Sequence, residues 1–368
     1  MRALADSGHD VTLVAGRNFE ADPGWDMTGI EVVRVPELVR EVDPARDAVA
    51  FFKLYRLLRR TRPFAVHTHL AKAGILGRFA ARAARVPSII HTVHGPTFPA
   101  GISRVRRTAF RLMERICGFC TDRFVFVGEE LRDEYVRAGV CPPGRTTVIR
   151  TGRPTSDFEK ADSVGPEETK RIRQEFSPDK DTFMIGYVGR LVPGKAQDKA
   201  IRVLKKLRDA GLNAHLVLIG EGHVKSREET NYQSSLRALA NELGLSRHVH
   251  FTGFRPNVFS YMKAMDALIL TSRYEGLPNV AVEAAIVGRP FVTFKVCGAA
   301  EVVNTSGGGV IVENGDIDGM AKALEAFSRN PAWGREMARS ANHAVREIYR
   351  MERMVAEKML FYRDVLGA

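Results

Sequence analysis

The sequence predicts an α/β protein made of two doubly wound parallel sheets, and three observations carry that prediction. Short apolar runs with strand character alternate with longer helical patterns over most of the chain, as the crossover connections of a parallel sheet require. These runs fall into two series, separated by the polar stretch Pro154–Asp181. A chain of 368 residues holds two domains with full cores and is long for one.

The chain opens in a helical pattern, Met1–Ser7, closed by Gly8. A doubly wound sheet ordinarily begins with a strand and a glycine-rich turn at the ligand crevice. The expectation is therefore either a start further upstream or a first sheet without a central strand. Apolar and β-branched runs then predict strands at Asp10–Ala15, Glu31–Val35, Phe64–Thr68, Ser88–Thr92, Arg123–Val127 and Thr147–Arg150. Helical periodicity fills the gaps at about 45–61, 71–85, 103–117 and 129–138. Pro154–Asp181, mixed in charge and poor in apolar pattern, reads as a linker. The second series has strands at Phe183–Val188, Ala214–Ile219, Val249–Thr252, Ala267–Thr271, Phe291–Phe294 and Gly309–Val312. Its helices fall at about 195–210, 231–243, 256–264, 278–287, 298–304 and 316–329. Beyond Pro331 the pattern is helical throughout, with Val345, Ile348, Met351, Val355, Met359, Tyr362 and Leu366 at three- and four-residue steps. The predicted domains are 1–155 and 156–343, followed by a terminal helix at 344–368.

Composition narrows the class. Hydrophobic residues at 45% and charged ones at 27% exclude a disordered chain. No apolar run approaches the roughly 18 residues that span a bilayer. The first residues turn polar too soon for a signal peptide, and four scattered cysteines cannot staple a chain of this length. A cytoplasmic location is the expectation.

The net charge of +12 is uneven, with no Asp or Glu from Ala48 to Met113. Such a surface attracts phosphates, on a small molecule or an anionic leaflet. Within it, a helix from Ser103 sets Arg104, Arg107, Arg111 and Arg115 on one face. Val105, Ala109, Leu112, Met113 and Ile116 fall on another, and Pro96-Thr97-Phe98-Pro99 lies ahead of them. Two readings compete: docking on an anionic membrane surface, peripheral to the inner leaflet, or a core-packed helix with a solvated arginine face. Nucleic acid is not expected as a partner, because no helix-turn-helix or aromatic platform occurs.

The clearest chemistry lies in the second series. Gly189-Arg190-Leu191-Val192-Pro193-Gly194-Lys195 is a strand-to-helix turn with two cations five residues apart, suited to gripping phosphate at the carboxyl end of a strand. After a later strand, Tyr274-Glu275-Gly276-Leu277-Pro278-Asn279 leads into a helix carrying Glu283. Pro278 suits the first turn, the free amides there favour an anion, and Gly276 admits close backbone approach. Glu283 can accept from ribose hydroxyls and Glu275 from those of a sugar.

These residues resemble the family 4 glycosyltransferases of the GT-B fold, in which two Rossmann-like domains face each other across a cleft. The likeness runs from Gly186 to about Asn330 through Gly189-Arg190-Leu191 with Lys195, Ile219-Gly220-Glu221-Gly222, Gly253-Phe254, Ser272 to Ala285 and Gly288-Arg289-Pro290. It implies a nucleotide diphosphate sugar, most simply a UDP-sugar, as donor substrate, with no cofactor and no metal, and transfer with retention. Arg190 and Lys195 would hold the diphosphate, Glu283 the ribose and Glu275 the transferred sugar. Phe254 would lie beside the base, and Gly220, Gly276, Leu277, Pro278 and Asn279 would complete the donor site. In the first half, Val66-His67-Thr68-His69 and Ile90-His91-Thr92-Val93-His94-Gly95 are similar to the acceptor domain of enzymes that build bacterial surface polysaccharides. That implies a lipid-linked or other glycan acceptor, with His94 a catalytic candidate beside Glu275, Arg190 and Lys195. The fold also implies a terminal helix that crosses back onto the first domain.

Two departures stand out. Thr151-Gly152-Arg153-Pro154 replaces Asn-Gly-X-Asp, and Val127-Gly128-Glu129 replaces Val-Ser-Glu. The strand at His67 is expected to end near Thr68, so metal binding by His67 and His69 is not expected. Cys117 and Cys120 lack a second pair for zinc. The alternatives are a truncated, non-catalytic donor-binding chain and a sugar-nucleotide epimerase of the same fold. The epimerase would need acids in the stretch that has none.

Overall fold

The computed structural model describes residues 1–17, 19–21, 24–39, 42–99, 102–222 and 227–367, with only the backbone of Arg227 and Glu228. Two compact units result: Met1–Arg150 with Glu352–Ala368, and Thr151–Met351.

In unit 1 the chain runs through α1 (Arg2–Asp6), β1 (Val11–Ala15), β2 (Ile30–Arg34), α2 (Pro44–Thr61), β3 (Ala65–His69), α3 (Ala71–Ala84), β4 (Ser88–Val93), α4 (Arg104–Phe119), β5 (Arg123–Phe126), α5 (Glu129–Arg137) and β6 (Thr146–Val148). Helix α2 starts where Asp43 caps the Arg46 amide and Pro44 presets the first turn. Strands β3, β4, β5 and β6 form one parallel sheet, and β1 pairs with β2 in another. Among the described residues no strand joins the two. Strand β4 is buried along its whole length, which explains its run of Ile89, Ile90 and Val93.

Unit 2 contains α6 (Thr155–Ser163), α7 (Pro166–Phe176), β7 (Phe183–Val188), α8 (Gln197–Asp209), β8 (Ala214–Ile219), α9 (Arg227–Glu242), β9 (Val249–Gly253), α10 (Val258–Ala264), β10 (Ala267–Leu270), α11 (Asn279–Ile286), β11 (Phe291–Phe294), α12 (Ala299–Ser306), β12 (Gly309–Val312), α13 (Ile317–Arg329) and α14 (Pro331–Ile348). Its parallel sheet has the order β12-β11-β10-β7-β8-β9, with helices over a core that includes Ile185, Leu216, Leu268, Val292 and Leu324. The final helix, α15 (Met351–Leu366), belongs to unit 1, where Phe361 packs with Ile90, Val125 and Ile149. No helix among the described residues is long and apolar enough to cross a membrane.

Three expectations need correction. The stretch read as a linker holds α6 and α7, whose Phe158, Ala161 and Ile172 join the unit 2 core. So few apolar residues give little periodic signal. The pattern after Pro331 breaks at Tyr349–Arg350, where Arg153 takes the Tyr349 carbonyl that a continuing helix would have used. Strand β3 reaches His69 rather than Thr68, so His67 and His69 share one face.

Candidate active site

Between β10 and β7 the strand order of unit 2 reverses, the point at which open α/β sheets bind ligands beyond the carboxyl ends of their strands. A cavity of about 470 Å³ opens at the ends of β7, β8 and β9. Of the predicted donor residues, Arg190, Gly220, Phe254 and Glu283 line it, joined by Gly189, Glu221 and Arg255. Gly220 sits at φ +132°, and a Cβ there would lie 2.3 Å from the Gly189 carbonyl oxygen, so the wall requires glycine. Phe254 is 70% exposed at the cavity wall, an apolar face free to stack on a flat ring.

Lys195, Glu275 and residues 276–279 flank this cavity rather than line it. Because β7 and β10 are paired neighbours, the loops that leave them pack together. The Arg273 amide donates to the Gly194 carbonyl at 2.9 Å, and the Tyr187 hydroxyl donates to the Lys195 carbonyl at 2.6 Å. Lys195 Nζ meets Glu275 Oε1 at 2.5 Å, so the two catalytic candidates form an ion pair with each other. Gly276 is buried and Leu277 half-buried. Pro278 stands at the N-cap of α11 in extended conformation, one residue earlier than the first turn expected of it, and Asn279 begins the helix, exposed. Glu283 follows in the second turn of α11 among buried Val280, Ala284 and Ile286.

Burial pushes the Glu283 carboxyl up from its ordinary pKa, Asp157 adds to that, and the Arg153 guanidinium opposes it. Arg153 Nη2 lies 2.9 Å from Glu283 Oε1 and 2.5 Å from Asp157 Oδ2. Nothing in the spacing of the sequence singled out Arg153 as a partner of Glu283. Its only signal was the departure from Asn-Gly-X-Asp. Glu221 was quoted within Ile219-Gly220-Glu221-Gly222 but given no role, and Arg255 escaped notice, since it belongs to no pattern with a chemical reason of its own.

His94 belongs to unit 1, at the end of β4. Its Nε2 lies 3.0 Å from His69 Nδ1, and the His69 ring stacks on His67 at 4.5 Å between centroids. His67 is held in turn by Thr92 Oγ1 at 2.6 Å and by the Tyr362 hydroxyl of α15. Burial lowers the His94 pKa, with Lys358 adding to the effect, and takes His69 down to about 4. Both are neutral imidazoles at pH 7. Cys117 and Cys120 are free thiols, and burial pushes Cys117 up to about 12. Among the described residues no group of three His, Cys, Asp or Glu side chains is arranged to hold a metal.

Two units built on parallel sheets, the second with a glycine-walled cavity beyond the carboxyl ends of β7, β8 and β9, are the architecture of the GT-B fold. Residues 1–152 match the family described as glycosyl transferase 4-like domain, and residues 168–347 match glycosyl transferases group 1. The chain belongs to the family 4 glycosyltransferases. It is 28% identical over 292 residues, 79% of this chain and 73% of the other, to the UDP-Gal:alpha-D-GlcNAc-diphosphoundecaprenol alpha-1,3-galactosyltransferase of Escherichia coli. To the capsular polysaccharide biosynthesis glycosyltransferase CapM of Staphylococcus aureus it is 26% identical over 296 residues, 80% of this chain and 75% of that one. The crystal structure of Anabaena HepE with UDP and glucose superposes with a TM-score of 0.74 at 20% identity, covering 90% of this chain and 86% of the other. At that identity the likeness is one of fold.

Proposed function

We propose that the protein is a retaining, metal-independent glycosyltransferase that moves a sugar from a UDP-sugar to a lipid-linked or other polysaccharide-precursor acceptor. The observation that carries this reading is the cavity with Gly189, Arg190, Gly220, Phe254 and Glu283 in its wall and the Lys195–Glu275 pair beside it. The Escherichia coli relative, which uses UDP-Gal and a diphosphoundecaprenol-linked acceptor, supports the donor and acceptor classes, and the Staphylococcus aureus relative supports a role in polysaccharide synthesis.

In this reading Phe254 stacks on the uracil and Glu283 accepts from the ribose hydroxyls. Arg190 and Lys195, with the amides at the start of α11, stabilise the diphosphate as it departs, which is where negative charge develops. Glu275 orients the transferred sugar. The acceptor hydroxyl attacks the anomeric carbon on the face that UDP leaves. The C–O bond to phosphate breaks as the new glycosidic bond forms, and a phosphate oxygen takes the hydroxyl proton. His94, a neutral imidazole, orients that hydroxyl.

A lipid-linked acceptor lies in a leaflet, and this reading makes the protein peripheral to the inner one. Helix α4 supports it. Of the two readings left open for that helix, core packing fails for its apolar ridge: Val105 is 80% exposed, Leu112 57%, Ile116 45% and Phe119 85%. Arg104, Arg106 and Arg111 flank the ridge, and among the described residues none of them forms an ion pair. Exposed apolar groups bracketed by cations suit an anionic membrane interface. Phe98 does not share in this, because it is buried against Tyr135 at 4.9 Å.

The test is calorimetric titration with UDP, using GDP and the Glu283→Ala variant as controls, followed by transfer assays with EDTA present. Saturable UDP binding, weakened in the variant, is expected. Absence of binding by the folded protein would defeat the donor reading, whereas binding without transfer to any acceptor would favour the non-catalytic donor-binding alternative.

A further inference from the structure

We propose that Arg153 is a positioning residue of the donor site, which holds the Glu283 carboxylate in place and in its ionised form for the ribose of the nucleotide. The inference rests on the nucleotide reading of the cavity. Helix α11 is almost wholly buried, so a carboxylate on it sits where burial penalises its charge. Asp157, close by, adds repulsion of like sign. Arg153, with Nη2 2.9 Å from Glu283 Oε1, is the cation that opposes both. It engages one carboxylate oxygen, and the carboxylate retains acceptor capacity for two vicinal hydroxyls. Were Glu283 protonated, it would become a donor on one oxygen and lose part of that capacity.

The backbone that carries the guanidinium is itself held. The Arg153 amide donates to the Tyr349 carbonyl at 2.6 Å, and its own carbonyl accepts from the Met351 amide at 2.9 Å. Gly152 is packed so closely that a Cβ there would meet the Arg350 carbonyl oxygen and Met351 Cα at 2.6 Å. Asp157 Oδ2 lies 2.5 Å from the same Nη2 that faces Glu283. A cation on so fixed a backbone limits where the opposing carboxylate rests. Arg190, Glu221 and Arg255, the other charged groups of the cavity, complete the field around Glu283.

A role confined to folding would weaken nucleotide binding equally at every pH, whereas a role through Glu283 ionisation is pH-dependent. The experiment measures UDP affinity from pH 7 to 9 for wild type, Arg153→Gln and Arg153→Lys, with thermal melts to establish folding. The expected result is a flat wild-type profile. Arg153→Gln should bind roughly tenfold or more weakly at pH 7, the scale of a charge-assisted hydrogen bond, and recover toward wild type by pH 9 as Glu283 ionises. Arg153→Lys should restore most of the affinity at pH 7. Carboxyl-carbon NMR of the free protein, assigned with Glu283→Gln, should show Glu283 titrating higher in Arg153→Gln than in wild type. Wild-type affinity in Arg153→Gln at pH 7, equal weakening at all pH values, or an unmoved Glu283 titration would overturn the inference alone. Failure of folded wild type to bind UDP would overturn the nucleotide reading and this role with it.

Discussion

His69 Nδ1 stands 3.0 Å from His94 Nε2, so one imidazole donates to the other and each fixes its neighbour's tautomer. The His69 ring is itself stacked on His67, which Thr92 and Tyr362 hold. His94 therefore ends a supported chain of rings. Replacing His69 with Phe keeps the stacking but removes the nitrogen that orients His94. The expected outcome is a fall in kcat on the order of tenfold to a hundredfold, the cost of a misplaced reacting group, with UDP affinity unchanged. Steady-state transfer assays beside UDP titration check this. A loss of UDP affinity equal to the loss of rate would show that His69 serves the fold instead.

Stability should fall in mild acid, through histidines in both units. Burial holds His215 at about 4 in the folded protein, and His67 and His91 are also well below the ordinary value of 6.5. Since the folded pKa lies below the unfolded one, the unfolded chain binds more protons between these values. The stabilisation is present in full above about pH 6.5 and is lost as pH falls toward 4. At pH 5 the buried His215 imidazole, with a folded value of about 4, withdraws at most about 2 kcal/mol. Melting temperatures by scanning fluorimetry should drop clearly from pH 7.5 to pH 5, and His215→Asn should flatten part of that slope. Equal melting temperatures at the two pH values would refute the assignment.

The strands were the most legible part of the chain, for a physical reason. Strands buried on both faces, such as β8 with Leu216, Val217, Leu218 and Ile219, write their burial as unbroken apolar runs. Helices α6 and α7 bury only a few side chains between them, so composition alone reads as linker. Arg190, Gly220, Phe254 and Glu283 were legible because each sits just beyond a strand or within the first turns of a helix, where local sequence sets their position. Arg153 was not, since its pairing with Glu283 joins positions 130 residues apart and depends on how Tyr349 and Met351 pin the backbone. Helix α4 was half legible: periodicity gave its two faces, but only the fold shows which of them meets solvent.

Gly298 should be intolerant of any side chain. It adopts φ +76°, and a Cβ there would lie 1.8 Å from the Gly276 carbonyl oxygen, next to Glu275. Backbone must move to relieve that overlap, and the loop that carries Glu275 is what it would push. Gly298→Ala is expected to lower transfer on the order of a hundredfold, the scale of an ångström of misplacement at a reacting centre. UDP affinity should fall less than transfer does, because most of its cavity wall is built at the ends of β7, β8 and β9 and α11 contributes Glu283 from its second turn. Comparing UDP and UDP-sugar titrations separates the two effects.

Helix α4 can be tested on vesicles without any sugar donor. Its inner side is fixed by the fully buried pair Arg78–Glu114 at 2.9 Å and by Gly118, where a Cβ would meet the Val140 carbonyl oxygen at 2.1 Å. The outward ridge of Val105, Leu112, Ile116 and Phe119 is therefore a fixed feature of the surface. Wild type should sediment with vesicles rich in phosphatidylglycerol, much less with phosphatidylcholine alone, and less again at high salt. Each arginine near an anionic leaflet contributes about 1 kcal/mol, so Arg104→Gln, Arg106→Gln and Arg111→Gln together should cost on the order of a hundredfold in partitioning. Leu112→Asp should abolish binding while leaving the melting temperature near wild type, since the side chain it replaces is solvent-exposed. If the protein ignores both kinds of vesicle and instead dimerises with concentration in a way that Leu112→Asp prevents, the ridge is an interface between copies of the chain rather than a seat on the leaflet.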